Sequence, residues 1–308
     1  EMDQDEIVAA AESLDLDDLR LEPLSDSEQD STAELQKMLD KAGKVVIAKE
    51  GSPWRVRPLQ VRSGTDIVFE DGAELRAATN CYFNNNDSVL NLWCVTNVTI
   101  RGKGIVSMNK FEYRQKGYKP GDGRHGLCIR GSANVTVEDM TFRDAGADGV
   151  YIVGWGNAVK ESRDITLKRV TCDGCYRQGV SVISAENFLA EGCRFLNTKG
   201  SSPEAGIDFE PNYSWEKLVN CRLKDTLIEG NAGTGLHVSP HWLCSDSAPV
   251  SIRVENCTVK DNGYCGIEVM RNGYGKPPQG EVVFGNCLVS GTTHHGLVFV
   301  RHPADMFR

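Results

Sequence analysis

The sequence predicts an all-β fold: a single-stranded right-handed parallel β-helix, a solenoid closed at its N-terminal end by a short capping helix. Three observations carry this. First, a glycine, an aliphatic residue, a variable residue and an apolar residue recur as Gly126-Leu127-Cys128-Ile129, Gly149-Val150-Tyr151-Ile152, Gly179-Val180-Ser181-Val182, Gly206-Ile207-Asp208-Phe209, Gly235-Leu236-His237-Val238, Gly266-Ile267-Glu268-Val269 and Gly296-Leu297-Val298-Phe299. A repeat of roughly thirty residues cannot bury its own apolar face, so its copies must stack. Alternation with period two makes the stacked units strands whose variable residue points outward. Second, a further strand precedes each later copy with unchanging internal spacing, from Val135/Val137/Met140/Phe142 to Val282/Phe284/Cys287/Val289. Third, an amphipathic helical pattern stands directly ahead of the first strand.

In chain order, residues 1–30 hold twelve Asp and Glu against Arg20 alone and read as a solvated acidic leader, partly disordered. The solenoid domain is expected over 31–308. Ser31-Thr32-Ala33-Glu34 has the form of a capping box, and Leu35, Met38, Leu39 and Ala42 share one helical face before Gly43 stops the helix, which is expected over about 31–43. Such a helix can plug the open end of a solenoid and hide its unpaired strand edge. Strands are expected at Lys44–Ile47, Arg57–Val61, Asp66–Phe69, Ala73–Arg76, Ser88–Trp93 and Val98–Val106, and then in every repeat. From Phe142, Cys172, Ile228, Val259 and Val289 to the next repeat glycine the distance is seven residues; from Phe195 it is eleven, because Ser201-Ser202-Pro203-Glu204 are inserted just ahead of Asp208. At the other end the chain stops soon after the last repeat, so a partner or a further C-terminal segment is expected to cover it.

Composition narrows the function. The chain has 308 residues, 40% of them hydrophobic and 25% charged, ordinary for one soluble domain. The formal charge of −9 misleads, because the leader holds −11 of it and leaves about +2 for the rest, no basic field for nucleic acid. No apolar run is long enough to span a membrane. Glu1 does not begin a signal peptide, so a leader was either removed or never present, and a secreted or periplasmic location is expected. Of the eleven cysteines, Cys193, Cys257 and Cys287 share one inward row and read as a reduced core ladder. Cys172 of the Cys172/Cys175 pair is also an inward position, which argues against a metal or redox role.

The order helix, Lys44-Val45-Val46-Ile47, Ser63-Gly64-Thr65-Asp66-Ile67-Val68-Phe69-Glu70-Asp71-Gly72-Ala73 and Asn97-Val98-Thr99-Ile100-Arg101-Gly102-Lys103-Gly104 resembles the pectin-lyase-like right-handed parallel β-helix superfamily, and especially the opening of polygalacturonase-type glycoside hydrolases. The resemblance covers roughly residues 30–300 and implies the fold. Of the polygalacturonase blocks only Gly146-Ala147-Asp148-Gly149 and His125-Gly126 are echoed, which places Asp148 where one of that family's acids lies. The stretch from Ala205 to Asn212 is similar in outline to the Tyr-Gly-Phe-Asp-Pro-His block of alginate-type C5-epimerases, with Asp208 at the aspartate.

Stacked strands lie about 4.8 Å apart, so outward residues form an array that can be written down from the repeat. Its polar members, Asp148, Gln178, Asp208, Glu210, His237 and Glu268, form one patch. Asp208 and Glu210, two apart on one strand, are about 6–7 Å apart, and Asp208 and Glu268 about 10 Å apart across His237. Such separations suit the acid and base of an inverting glycosidase. Crowded carboxylates raise one another's pKa, as a proton donor requires. Asp208, Glu210, Glu268, His237 and Asp148 are therefore the candidate catalytic residues. A solvated surface and a calcium site built on Asp208, Glu210 and Glu204 are the alternatives; no other cofactor is expected. Loops leaving the same strands each carry an aromatic, Trp155, Trp215 beside Tyr213, Trp242 beside His241, and Tyr274, a set suited to stacking on sugar rings. With Tyr151, Gln178 and Arg271 they are the candidate substrate contacts. The insertion from Met108 to Arg124 carries five Lys and Arg against two acids and is placed to close the N-terminal end of a groove. The reading is a glycoside hydrolase acting on a polysaccharide or oligosaccharide. A polysaccharide lyase or C5-epimerase on uronic-acid polymers, with His237, Tyr151 or Lys199 as base, is the alternative, and a non-catalytic glycan-binding adhesin the third.

Overall fold

The computed structural model describes residues 29–271 and 276–300. Residues 1–28, which make up nearly all of the expected leader, and Tyr274 lie outside the described residues. Each coil of the chain adds one strand to each of three parallel sheets, and each sheet has nine strands in strict coil order. The crossovers take the right hand that parallel strands impose. The first sheet runs from Gly43–Ile47 to Gly280–Gly285, the second from Trp54–Val56 to Leu288–Ser290, and the third from Leu59–Gln60 to Leu297–Val300.

The repeat glycines have a physical cause. A side chain at Gly179 would come within 2.4 Å of the Gly206 carbonyl oxygen of the next coil, and one at Gly266 within 2.6 Å of that of Gly296. Successive coils therefore approach so closely at these positions that only hydrogen fits. Inward rows fill the bore: Met140, Val170, Cys193, Thr226 and Cys257 are buried, and Cys287 is half-buried on the last coil. Cys193 and Cys257 turn their thiols to the carbonyls of Leu167 and Leu223, 3.4 and 3.7 Å away, and Thr226 gives its hydroxyl to Lys224 at 2.9 Å, so even the polar members of the row are partnered. All eleven cysteines are free, and burial raises the pKa of the Cys172 and Cys175 thiols, which leaves the pair as core.

Several expectations need correction. The second strand of each repeat, read as one from Val135 to Phe142, is two, Ala133–Glu138 in the first sheet and Thr141–Arg143 in the second, with the chain turning a corner between them, and of the strand expected at Arg57–Val61 only Leu59–Gln60 forms. The segment read as one strand, Val98–Val106, is two, Thr96–Arg101 and Ile105–Ser107, in different sheets. Gly102, at φ +106, makes the corner between them, and any side chain there would meet the Phe69 carbonyl. The helix is shorter than expected, Thr32–Leu39, and Ser31 makes no side-chain cap. Asp30 caps it instead, accepting from the Thr32 amide at 2.9 Å while its other oxygen holds Arg57 at 3.0 Å, so Asp30 belongs to the fold and not to the leader. Leu35 and Leu39 cover the end of the bore. Gln36 closes the edge: its carboxamide donates to the Gln60 carbonyl at 3.0 Å and accepts from the Gln60 amide at 2.9 Å, as a neighbouring strand would. At the other end Leu288, Leu297 and Phe299 are exposed. Among the described residues no helix is long and apolar enough to cross a membrane.

Candidate functional site

The candidate residues come together on the outer face of the third sheet, where the strands Asp148–Val153, Gln178–Val182, Ala205–Phe209, Leu236–Val238 and Ile267–Met270 lie side by side. Their polar side chains are tied diagonally. The residue before the repeat glycine bonds the variable residue of the next coil: Ser181 donates to Asp148 at 2.9 Å, Gln178 to Asp208 at 2.8 Å, and Thr234 to Glu268 at 3.3 Å. Asp208 Oδ2 also meets His237 Nδ1 at 2.9 Å, and His237 Nε2 faces Glu268 Oε2 at 3.9 Å. The imidazole thus stands between two carboxylates. Burial acts to lower its pKa, but the Asp208 and Glu268 charges outweigh burial and hold it up at about 9.

This patch is not the solvated face that outward alternation implies. Asp148, Gln178, Ser181 and Asp208 are 0% exposed, and the Oδ1 atoms of Asp148 and Asp208 are buried without a donor. Gln178, expected to touch substrate, instead spends its amide on Asp208. Arg271 is buried, with one guanidinium nitrogen 3.4 Å from the Lys276 carbonyl.

Glu210, one residue beyond its strand, is placed differently. It borders a cleft of about 280 Å³ together with Tyr151, His125, Arg130 and Arg177 from the same face and Asp122 and Asn212 from loops. Burial, reinforced by the neighbouring Asp208 charge, raises the Glu210 carboxyl to about 7. Arg177 opposes that rise, with guanidinium nitrogens 2.8 and 2.9 Å from the two Glu210 oxygens and 3.7 Å from Asp148 Oδ2. Tyr151 lies flat on His125, ring centres 4.3 Å apart and planes within 5°, and burial raises its phenol. The Asn212 wall is fixed by Glu216, a buried carboxylate that accepts from the Asn212 and Tyr213 amides; burial lifts it to about 7 against those two donors.

The loops give a mixed outcome. The 108–124 insertion does wall the cleft, through Asp122 and Gly123. The four-residue insertion braces that wall: Ser201 Oγ donates to Asp122 at 3.0 Å, and Arg114, 3.0 Å from Asp122, lies over the Tyr176 ring. Trp155, Trp215 and Trp242 do not line the cleft. Trp155 packs on Trp93, Trp215 stacks on Tyr213 with centres 4.2 Å apart, and Trp242, 58% exposed, meets His241 edge-on. The three carboxylates weighed as a calcium cage turn to separate partners, Glu204 to the Gly200 amide, Glu210 to Arg177 and Asp208 to Gln178 and His237. Among the described residues no group of three or more His, Cys, Asp and Glu is placed to hold a metal. Arg177, Arg130, His125, Asp122, Asn212, Asn85 and Asn86 are polar cleft residues that sequence reasoning missed as contacts. The only signal for Arg177 was a cation next to Gln178 at the edge of the acidic array.

Comparison with known proteins agrees with this architecture. A family model described as right handed beta helix region matches residues 45–272. The uncharacterized protein YclG of Bacillus subtilis (strain 168) is 23% identical over 153 residues, 46% of this chain but only 26% of the relative's length. Among solved structures, the tailspike protein of E. coli bacteriophage HK620, solved in complex with a pentasaccharide, superposes with a TM-score of 0.58 at 13% identity, covering 92% of this chain and 56% of that one. An iota-carrageenase complexed to iota-carrageenan fragments superposes with a TM-score of 0.50 at 14% identity, covering 82% and 55%. At such identities the structures speak for the fold alone. With the family model spanning most of its length and three parallel sheets wound as that model requires, the chain belongs to the right-handed β-helix family.

Proposed function

We propose that the protein is a carbohydrate-active enzyme that hydrolyses a glycosidic bond in a polysaccharide or oligosaccharide, with Glu210 as the proton donor. The observation that carries this is a carboxyl lining a polar cleft whose pKa burial and the Asp208 charge raise toward neutrality, against the opposing Arg177, so that near neutral pH a fraction of it carries a proton to give. Asp208, wholly buried, acts through Glu210 and not on substrate: it supplies the negative charge that favours the protonated form, while His237 and Gln178 fix its position. Asp122, the other carboxylate bordering the cleft, is assigned the activation of water, the role an inverting enzyme gives its second carboxylate.

Elimination by a lyase or C5-epimerase needs a base, which His125 or Tyr151 of the cleft could supply. Burial raises the Tyr151 phenol, which opposes that role for Tyr151 at neutral pH. A secreted or periplasmic location belongs to the same proposal, since polymeric glycans are met outside the cytoplasm. The test is product analysis on a panel of glycans. New reducing ends without ultraviolet absorbance from a new double bond support hydrolysis; that absorbance identifies a lyase, and no product with any glycan overturns the enzymatic reading.

A further inference from the structure

The cleft runs along the solenoid coil by coil, from Arg130 through Tyr151 and Arg177 to Glu210, and Asn212 is its wall on the last of these coils. Tyr213, the next residue, lays its ring on Trp215 with centres 4.2 Å apart and planes within 10°. The buried Glu216 accepts from the Asn212 and Tyr213 amides, so one carboxylate fixes both the cleft wall and the ring pair. The loop of the following coil is joined to this one, Ser247 Oγ donating to the Ser214 carbonyl at 2.7 Å. That loop buries Leu243 and leaves Trp242 58% exposed. The strands from which the two loops leave, Ala205–Phe209 and Leu236–Val238, are register neighbours, so the loops are rooted one strand spacing apart, about 4.8 Å.

A loop that buries a leucine and holds a tryptophan in solvent forgoes the burial of its largest apolar surface. Tyr213, also exposed, stands on the joined loop, so the two exposed rings are neighbours and not scattered singly. The surroundings name the ligand. No large aliphatic side chain on either loop is exposed, whereas Asn212, Ser214, Ser245 and Asp246 are. Flat rings set among hydrogen-bonding groups fit a sugar, whose C–H face stacks on an aromatic while its hydroxyls meet polar side chains. We propose that Tyr213, Trp215 and Trp242 form a ledge that continues the cleft toward the C-terminal coils and seats the sugar units of a polysaccharide that extend past Asn212, so that the protein favours polymers over short oligosaccharides. The ledge rests on the reading of the cleft as a glycan site and takes no part in the reaction.

The full chain is run in native gels that each contain one of a panel of soluble neutral and acidic polysaccharides, and the polysaccharide that retards it most is cut to a length series and titrated calorimetrically. Affinity is expected to rise with chain length, and Trp242→Ala to flatten that rise, weakening the polymer at least about 10-fold and the shortest bound oligosaccharide less than about 2-fold. Trp242→Tyr, which keeps a ring to stack, is expected to retain most of the length dependence. Trp242 carries the test because so exposed a side chain contributes little to folding, which an unchanged Tm checks. Length dependence through Trp242 without cleavage of any glycan would leave the ledge standing and remove the hydrolytic reading. Cleavage of a glycan bound equally well at all lengths, an equal loss in Trp242→Ala at every length, or retardation by no polysaccharide overturns the ledge. Self-association that Trp242→Ala abolishes, with no effect on glycan binding, would assign these rings to a protein partner and overturn it as well.

Discussion

Glu216 offers a quantitative check on the buried electrostatics of the site. Its carboxyl is held at about 7 in the folded chain, against 4.5 for an ordinary glutamate. A carboxyl whose pKa is raised by folding binds its proton more tightly in the native state than in the unfolded one. Between pH 4.5 and about 7 the folded chain keeps a proton that the unfolded chain has lost, so stability falls as pH rises through that window and levels off above it. At 1.36 kcal/mol per unit of pH, the loss is about 3 kcal/mol. Glu216→Gln keeps an oxygen that can accept from the Asn212 and Tyr213 amides but cannot ionise. The variant is therefore expected to gain about 3 kcal/mol over the natural protein between pH ~4.5 and pH ~8, with the two closest in relative terms at the acid end. Denaturant melts of both proteins at several pH values measure this, and taking their difference cancels every other titrating group that Glu216 does not touch. A difference that stays constant across the window would show that Glu216 ionises normally, and the cause assigned to its shift, burial beneath the Asn212 wall, would be wrong.

Other outcomes follow from the same structure. Glu210→Gln is expected to lower turnover on a confirmed substrate at least about 100-fold and to abolish the alkaline limb near pH 7; near-normal rates would remove Glu210 from the chemistry. His237 contributes stability that is fully present below pH 6.5 and lost as pH rises through about 9. His237→Gln is therefore expected to be destabilised most at pH ~6, with the gap to the natural protein narrowing by about 3 kcal/mol toward pH ~10, a trend read by the same melts. Cys257→Asp places a charge in the bore and is expected to cost several kcal/mol; an unchanged Tm would contradict the stacked inward row.

The fold was legible because solenoid stacking writes itself into the chain as repetition. Gly179 and Gly266 recur because the next coil's carbonyl leaves no room for a side chain, and Cys193 and Cys257 share a row because the same corner is built each time. Alternation also placed Asp208, Glu210, His237 and Glu268 on one face. It could not say which of them a ligand reaches, since exposure depends on loops that obey no repeat. Asp208 and Glu210 differ by two residues, yet one is wholly buried and the other borders the cleft. Arg177 was missed for a related reason: its guanidinium reaches a carboxylate on the following coil, a contact between residues 33 apart that no local pattern announces. At the helix start, Ser31 satisfied the capping rule, but the Ser31 amide is taken up by the Arg55 carbonyl and the cap moved to Asp30.

The parallel stacking has a consequence for how such a site can diversify. Groups on successive coils of the third sheet sit at multiples of one strand spacing, about 4.8 Å, so this half of the site has a fixed ruler and admits only discrete separations. Asp122, Asn212 and Ser201 lie on loops outside that ruler and can be repositioned by single insertions without disturbing a coil. A lineage built on this scaffold would hold the strand-borne carboxylates and imidazole as a constant and explore new ligands by exchanging the loop-borne wall opposite them.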